Sequence, residues 1–135
     1  MTFRAVHTGD APQPGGHYSQ ALVHEGLVYV SGQLPIDPAT GLVIAGDITQ
    51  QTEQTLDNVA AILGAAGSGL DRVLMLTVFV LTRDDWAAVN AVCVRRFGAH
   101  RPARAIVGAA NLKADCRIEI TAVAACDETG RSAPR

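Results

Sequence analysis

The stretch Val73–Leu81 is apolar at every position except Thr77. At nine residues it is far short of the ~20 that a membrane-spanning helix needs. Its β-branched content predicts a strand. Successive side chains of a strand point to opposite faces. On an unbroken alternation Val73, Met75 and Phe79 face one way, and Leu74, Leu76, Val78 and Val80 face the other. A strand apolar on both sides needs cover on both sides. The chain therefore has to build a sheet around this segment and keep both of its faces dry.

The rest of the chain supplies cover for one face. Phe3 to His7 reads as a short strand, followed by a Pro/Gly-rich loop over Gly9 to Gly16. Ser19 to Val23 and Leu27 to Ser31 form a predicted hairpin joined by His24-Glu25-Gly26. Leu34-Pro35, Asp37-Pro38 and Thr40-Gly41 make Gly32 to Gly46 a long loop. Asp47 starts a helix with Gln50 as its capping-box partner, Ile48, Thr52, Leu56, Val59 and Leu63 form its apolar stripe, and Gly67 ends it. A second helix spans Asp84 to Phe97, striped by Trp86, Val89, Cys93 and Phe97, with Pro102 as the breaker beyond it. Ala103 to Val107 and Arg117 to Ala125 are the last strands. The 135 residues amount to one domain, 1–126, with a polar tail over 127–135. The expected class is α+β, a six-stranded mixed sheet with two helices on one face. Nothing in the chain is left for the other face, so the expectation is an obligate homo-oligomer in which a second copy covers it.

Charge and cysteine usage narrow the function. Eleven Lys and Arg against thirteen Asp and Glu give a formal net charge of −2. Such a balance is a poor match for nucleic acid or for an anionic membrane surface. No long apolar run follows Met1-Thr2-Phe3-Arg4, so no signal peptide is expected. Cys93, Cys116 and Cys126 form no CxxC pair, and His7, His17, His24 and His100 are scattered. The reading is reduced thiols in a cytoplasm, with no metal and no cofactor.

No nucleophile motif, phosphate-binding loop or dinucleotide fingerprint is present. What stands out are charges inside strands that otherwise read as buried, Arg104 in Pro102-Ala103-Arg104-Ala105-Ile106-Val107 and Glu119 in Arg117-Ile118-Glu119-Ile120-Thr121-Ala122. Two readings stand side by side. Arg104 is a bidentate receptor for a substrate carboxylate with Glu119 as polar partner or base, or the two form an ion pair that fixes strand register. Asn90 falls on the stripe of the second helix between Trp86 and Cys93, where a helix-edge amide bonded to a loop carbonyl is the plain alternative. Tyr18 opens the first hairpin strand, and Ser31-Gly32 ends the second, where glycine permits either close approach of a ligand or a bulge. Cys93 and Cys116 read as buried fillers.

These segments together resemble the RidA family, also called YjgF, of reactive-intermediate or imine deaminases. The resemblance runs through Gly16-His17-Tyr18-Ser19-Gln20-Ala21, Val28-Tyr29-Val30-Ser31-Gly32-Gln33-Leu34-Pro35, Gln51-Thr52-Glu53-Gln54-Thr55-Leu56-Asp57-Asn58, Ala65-Ala66-Gly67, Thr77-Val78-Phe79, Pro102-Ala103-Arg104 and Ile118-Glu119-Ile120, from about Gly9 to Ala125. It implies a chorismate-mutase-like fold, a homotrimer with sites between subunits, and hydrolysis of small enamines or imines to 2-oxo acids and ammonia without metal or cofactor. It further implies that Arg104 grips the substrate carboxylate and Glu119 holds or activates water. Tyr18, Ser31, Gly32 and Asn90 then line the pocket. The chain departs from the family pattern at His17, at Ile106, often Cys in the imine-deaminase branch, and at Leu112-Lys113. Ile106 makes the pocket more apolar, and the three departures together leave a side branch with a bulkier, aminomuconate-like imine as an alternative. A non-catalytic trimer that binds small carboxylates, and a ribonuclease or translation inhibitor, are the competing classes. The acidic balance counts against the last.

Overall fold

Asp47 sets the start of the longer helix as its sequence predicts. In the computed structural model, which describes residues 2–127, α1 runs Ile48–Ala65. The Asp47 carboxylate accepts from the Gln50 N–H at 2.9 Å, and the Gln50 side chain accepts from the Asp47 N–H at 2.9 Å. Two otherwise orphaned donors are thereby satisfied. At the other end Gly67 takes φ +82°, and Ser68 N–H donates back to the Leu63 carbonyl at 2.8 Å, closing the helix. All five expected stripe residues of α1 are buried.

The main sheet has the order β1-β2-β3-β8-β6-β7, with β1 Arg4–Val6, β2 Ala21–His24, β3 Leu27–Gln33, β6 Val73–Val80, β7 Ala103–Gly108 and β8 Ile118–Ala125. Only β6 and β7 pair in parallel, which makes the sheet mixed. A parallel pair needs a crossover, and α2, Trp86–Phe97, supplies it. The β2–β3 hairpin closes through Glu25 and Gly26, both at positive φ (49° and 78°), the signature of a primed two-residue turn. The 32–46 stretch, expected as plain loop, carries a small ribbon of β4 Ile36–Asp37 and β5 Leu42–Val43. Strands of two residues are too short to leave a periodic signal. The expected polar tail, save Asp127, lies outside the described residues.

Both helices lie on one face. α1 packs on β3 and β8, and α2 packs beside α1. The core joins Val28 and Val30 of β3, Leu76, Val78 and Val80 of β6, and Ile118 and Ile120 of β8 to Leu56, Val59, Ile62, Val89 and Val92 of the helices. The alternation expected for β6 is corrected at one point. A bulge between Val73 and Met75 places fully buried Val73 opposite Ala124 on the helix side and leaves Leu74 exposed. A bulge flips the faces of everything on one side of it. Leu56 has no exposed surface. Leu56→Ala should therefore cost about 2–5 kcal/mol, read from the midpoint shift in denaturant unfolding at fixed protein concentration.

The opposite face is bare in the single chain. Leu22 pairs with Tyr29, Tyr29 with Val123, and Val123 with Met75, so one apolar row crosses the sheet. Leu22, Tyr29 and Met75 are all exposed.

Candidate active site

The edge strand β7 presents Arg104 on the helix side, because Arg104 pairs with Leu76, whose side chain is in the core. Its Nη1 donates to Asn90 Oδ1 of α2 at 2.9 Å. Its guanidinium carbon lies 5.4 Å from the centre of the Trp86 ring, a cation–π contact. Asn90 thus meets a guanidinium and not the loop carbonyl of the plain reading. Trp86, expected in the core stripe, is exposed and forms a platform for Arg104 instead. Cys93 is buried beside them, and burial pushes its thiol up against the opposing pull of Arg104. Among the described residues no carboxylate pairs with Arg104. Leu76, Asn90, Cys93, Phe97, His100 and Arg104 help line a cavity of about 500 Å³ on this side.

Glu119 lies on the other face of the sheet. It pairs with Phe79 on β6, between Ile118 and Ile120, which point into the core. The chain bulges between Val30 and Gln33, so that Gly32 comes against Glu119. A Cβ at Gly32 would clash with Glu119 Oε2 and lie 3.0 Å from its Cδ. Of the two sequence readings of Ser31-Gly32 the bulge is present, and the group that comes close to its glycine is the Glu119 side chain. Burial raises the Glu119 pKa above the ordinary 4.5. No ion pair to Glu119 forms among the described residues. Gly32→Ala would push the carboxylate aside; if Glu119 serves a reaction, a displacement near 1 Å should lower turnover about ten- to a hundredfold, measured by steady-state kinetics.

The register ion pair is accordingly absent: within one chain Arg104 and Glu119 stand on opposite faces of the sheet. Of the other expected pocket residues, Ser31 turns its hydroxyl to the Ser19 carbonyl at 2.6 Å. Tyr18 is exposed, and its hydroxyl accepts from Gly15 N–H at 3.1 Å. Ile106 shares the face of Arg104 but packs against the core and does not line the cavity. His17 is exposed.

Several supporting residues were not singled out by the sequence reading. Buried Gln20 holds the 9–16 loop, with Nε2 donating to the Thr8 and Pro12 carbonyls, each at 3.0 Å. Gln51 Oε1 accepts from Arg117 N–H at 2.8 Å, anchoring the entry to β8. Asn58 donates to the Leu34 and Ile36 carbonyls at 3.0 and 2.8 Å. Asp85 is buried with Oδ1 2.9 Å from Arg117 Nη2. Polar residues at buried helical positions were the available clue, since such groups need partners. Among the described residues no group of three or more His, Cys, Asp or Glu is placed to hold a metal ion, and no helix is long and apolar enough to cross a membrane.

A six-stranded mixed sheet with both helices on one face, Arg104 on the helix side and a burial-shifted Glu119 on the other defines a small α+β domain. The family described as Endoribonuclease L-PSP matches residues 8–126. A RutC family protein of Pyrococcus horikoshii is 44% identical over 119 residues, covering 88% of this chain and 94% of its own. The 2-iminobutanoate/2-iminopropanoate deaminase of Capra hircus is 39% identical over 124 residues, covering 92% and 90%. The solved structure of the YjgF gene product of E. coli superposes with a TM-score of 0.85 at 40% identity, covering 90% of this chain and 98% of that one. The chain belongs to this family, the RidA or YjgF family.

Proposed function

We propose that the protein is a hydrolytic deaminase of small enamine and imine intermediates, assembled as a homotrimer with its sites between protomers. The observation that carries this reading is the Arg104 guanidinium, held by Asn90 and Trp86 with no acidic partner among the described residues. A planar fork so placed receives a carboxylate in two parallel bonds. That grip fixes the adjacent imine carbon in front of one water. Glu119 on a second copy takes a proton as the water oxygen bonds to that carbon, and returns it to nitrogen. The hydroxyl of the resulting carbinolamine then gives its proton to the nitrogen as the C=O forms and the C–N bond breaks, so imine plus water gives a 2-oxo acid plus ammonia. The exposed apolar row of Leu22, Tyr29 and Met75 supports the assembly, because an exposed apolar face is a surface for a second copy to cover. The Capra hircus relative, named as such a deaminase, supports the substrate class. Three free cysteines fit a cytoplasmic setting.

The test couples the protein to a pyridoxal-phosphate-dependent dehydratase that releases 2-iminobutanoate and follows 2-oxobutanoate formation. The expected result is faster release with the protein present. A release rate identical with and without it would overturn the reading. An otherwise inert protein that still binds 2-oxobutanoate would place it with the non-catalytic carboxylate binders.

A further inference from the structure

The cavity beside Arg104 is larger than a four-carbon imino acid requires. In the single chain it measures about 500 Å³, room for a bulkier ligand as well as for the groups a second copy brings to it. Its lining includes a second arginine, the exposed Arg101, and no acidic residue. In a chain whose acids outnumber its Lys and Arg by thirteen to eleven, a wall with two arginines and no carboxylate is a selective environment for a dianion. Neither arginine has an ion-pair partner among the described residues. Two residues, Pro102 and Ala103, separate them, so their Cα atoms are at most about 10 Å apart. Pro102 between them restricts the backbone of Arg101 to extended conformations. The same lining includes apolar Leu76, Val94 and Phe97. His100, which also lines the cavity, has its Nε2 committed to the Val73 carbonyl at 2.7 Å.

We propose that Arg101 is the receptor for a second, distal carboxylate, so that the site takes 2-imino dicarboxylic acids and their 2-oxo products. The methylenes between the two carboxylates lie along Leu76, Val94 and Phe97, while Arg104 grips the carboxylate next to the imine. The turnover part of this proposal rests on the deaminase reading. The binding part does not.

Two measurements separate them. Calorimetric titration compares 2-oxoglutarate with 2-oxobutanoate on the intact oligomer. The wild type should bind 2-oxoglutarate about tenfold or more tightly, an advantage of about 1.4 kcal/mol. Arg101→Ala should bring the ratio close to one, and Arg101→Lys, which keeps the cation, should retain part of it. No preference in the wild type, or a preference unchanged in Arg101→Ala, would overturn the proposal. Kinetics then use the imines released from glutamate and from 2-aminobutanoate by amino acid oxidases, with catalase present. The expected result is a fall of about tenfold in the glutamate-imine to aminobutanoate-imine ratio of kcat/KM in Arg101→Ala, carried by KM. If neither imine is hydrolysed while the binding preference persists, the deaminase reading fails and the dicarboxylate site stands.

Discussion

Oligomers of Arg104→Ala alone, or of Glu119→Gln alone, should lose nearly all imine hydrolysis, while oligomers reassembled from equal amounts of the two should recover about one quarter of wild-type activity. The reasoning is geometric. Arg104 pairs with core-facing Leu76, and Glu119 pairs with Phe79 on the opposite face, so one chain cannot bring both to one substrate. A site assembled from two copies takes its arginine from one and its carboxylate from the other. With random mixing, half of the protomers carry the arginine and half carry the carboxylate, and the chance that a given site has both is about one in four. If both groups served the same site from one protomer, every site in the mixture would lack one of them and nothing would return. Exchange is verified by mass spectrometry of the mixed assemblies. Mixed assemblies without recovered turnover would sink the composite site. Leu22, Tyr29 and Met75, exposed in the single chain, make the same argument from the side of stability.

The sequence carried the fold further than the site, for physical reasons. Helix α1 was legible at both ends because the capping box and the glycine stop are local chemistry. Strand β6 was legible as a two-faced strand because apolar residues at both parities demand cover on both sides. The face assigned to Val73 was wrong, because a bulge is a pairing event between β6 and β8 that neither strand records alone. Trp86 was misplaced for a similar reason. Helical periodicity sorts residues by angle around the axis, but Trp86 is the first residue of α2, where its ring meets Arg104 on the edge strand. Arg104 and Glu119 were visible as charges in apolar strands. Their separation by the full thickness of the sheet was not, since it depends on which neighbours their strands pair with. Ile106 read as a pocket residue through resemblance, while its packing against the core follows from its pairing with Val78.

Glu119→Gln should move activity and stability in opposite directions. Burial holds the Glu119 carboxyl above its ordinary pKa of 4.5, so the folded chain favours the protonated form more than the unfolded chain does. For a group raised in this way the unfolded state binds fewer protons. Stability then falls as pH rises from the ordinary value through the folded one, and the full cost remains above that window. Glutamine carries no charge and escapes the cost. The variant should therefore unfold at a higher temperature than the wild type at neutral pH, and the difference should close as the pH drops below 4.5. Turnover should go the other way. A positioned carboxylate that accepts and returns a proton contributes about 10²–10⁴-fold, and its amide does neither. The acid limb of the wild-type kcat/KM profile should lie above the ordinary carboxylate range and vanish in the variant, while the affinity for 2-oxobutanoate, set by Arg104, stays near its wild-type value. A Glu119 that served only to brace β8 against Gly32 would give a less stable variant with its turnover reduced no more than its folded fraction. Unfolding scans and pH–rate profiles on the same preparations distinguish the two, because a residue retained for catalysis at a cost in stability is the arrangement in which the two measurements part company.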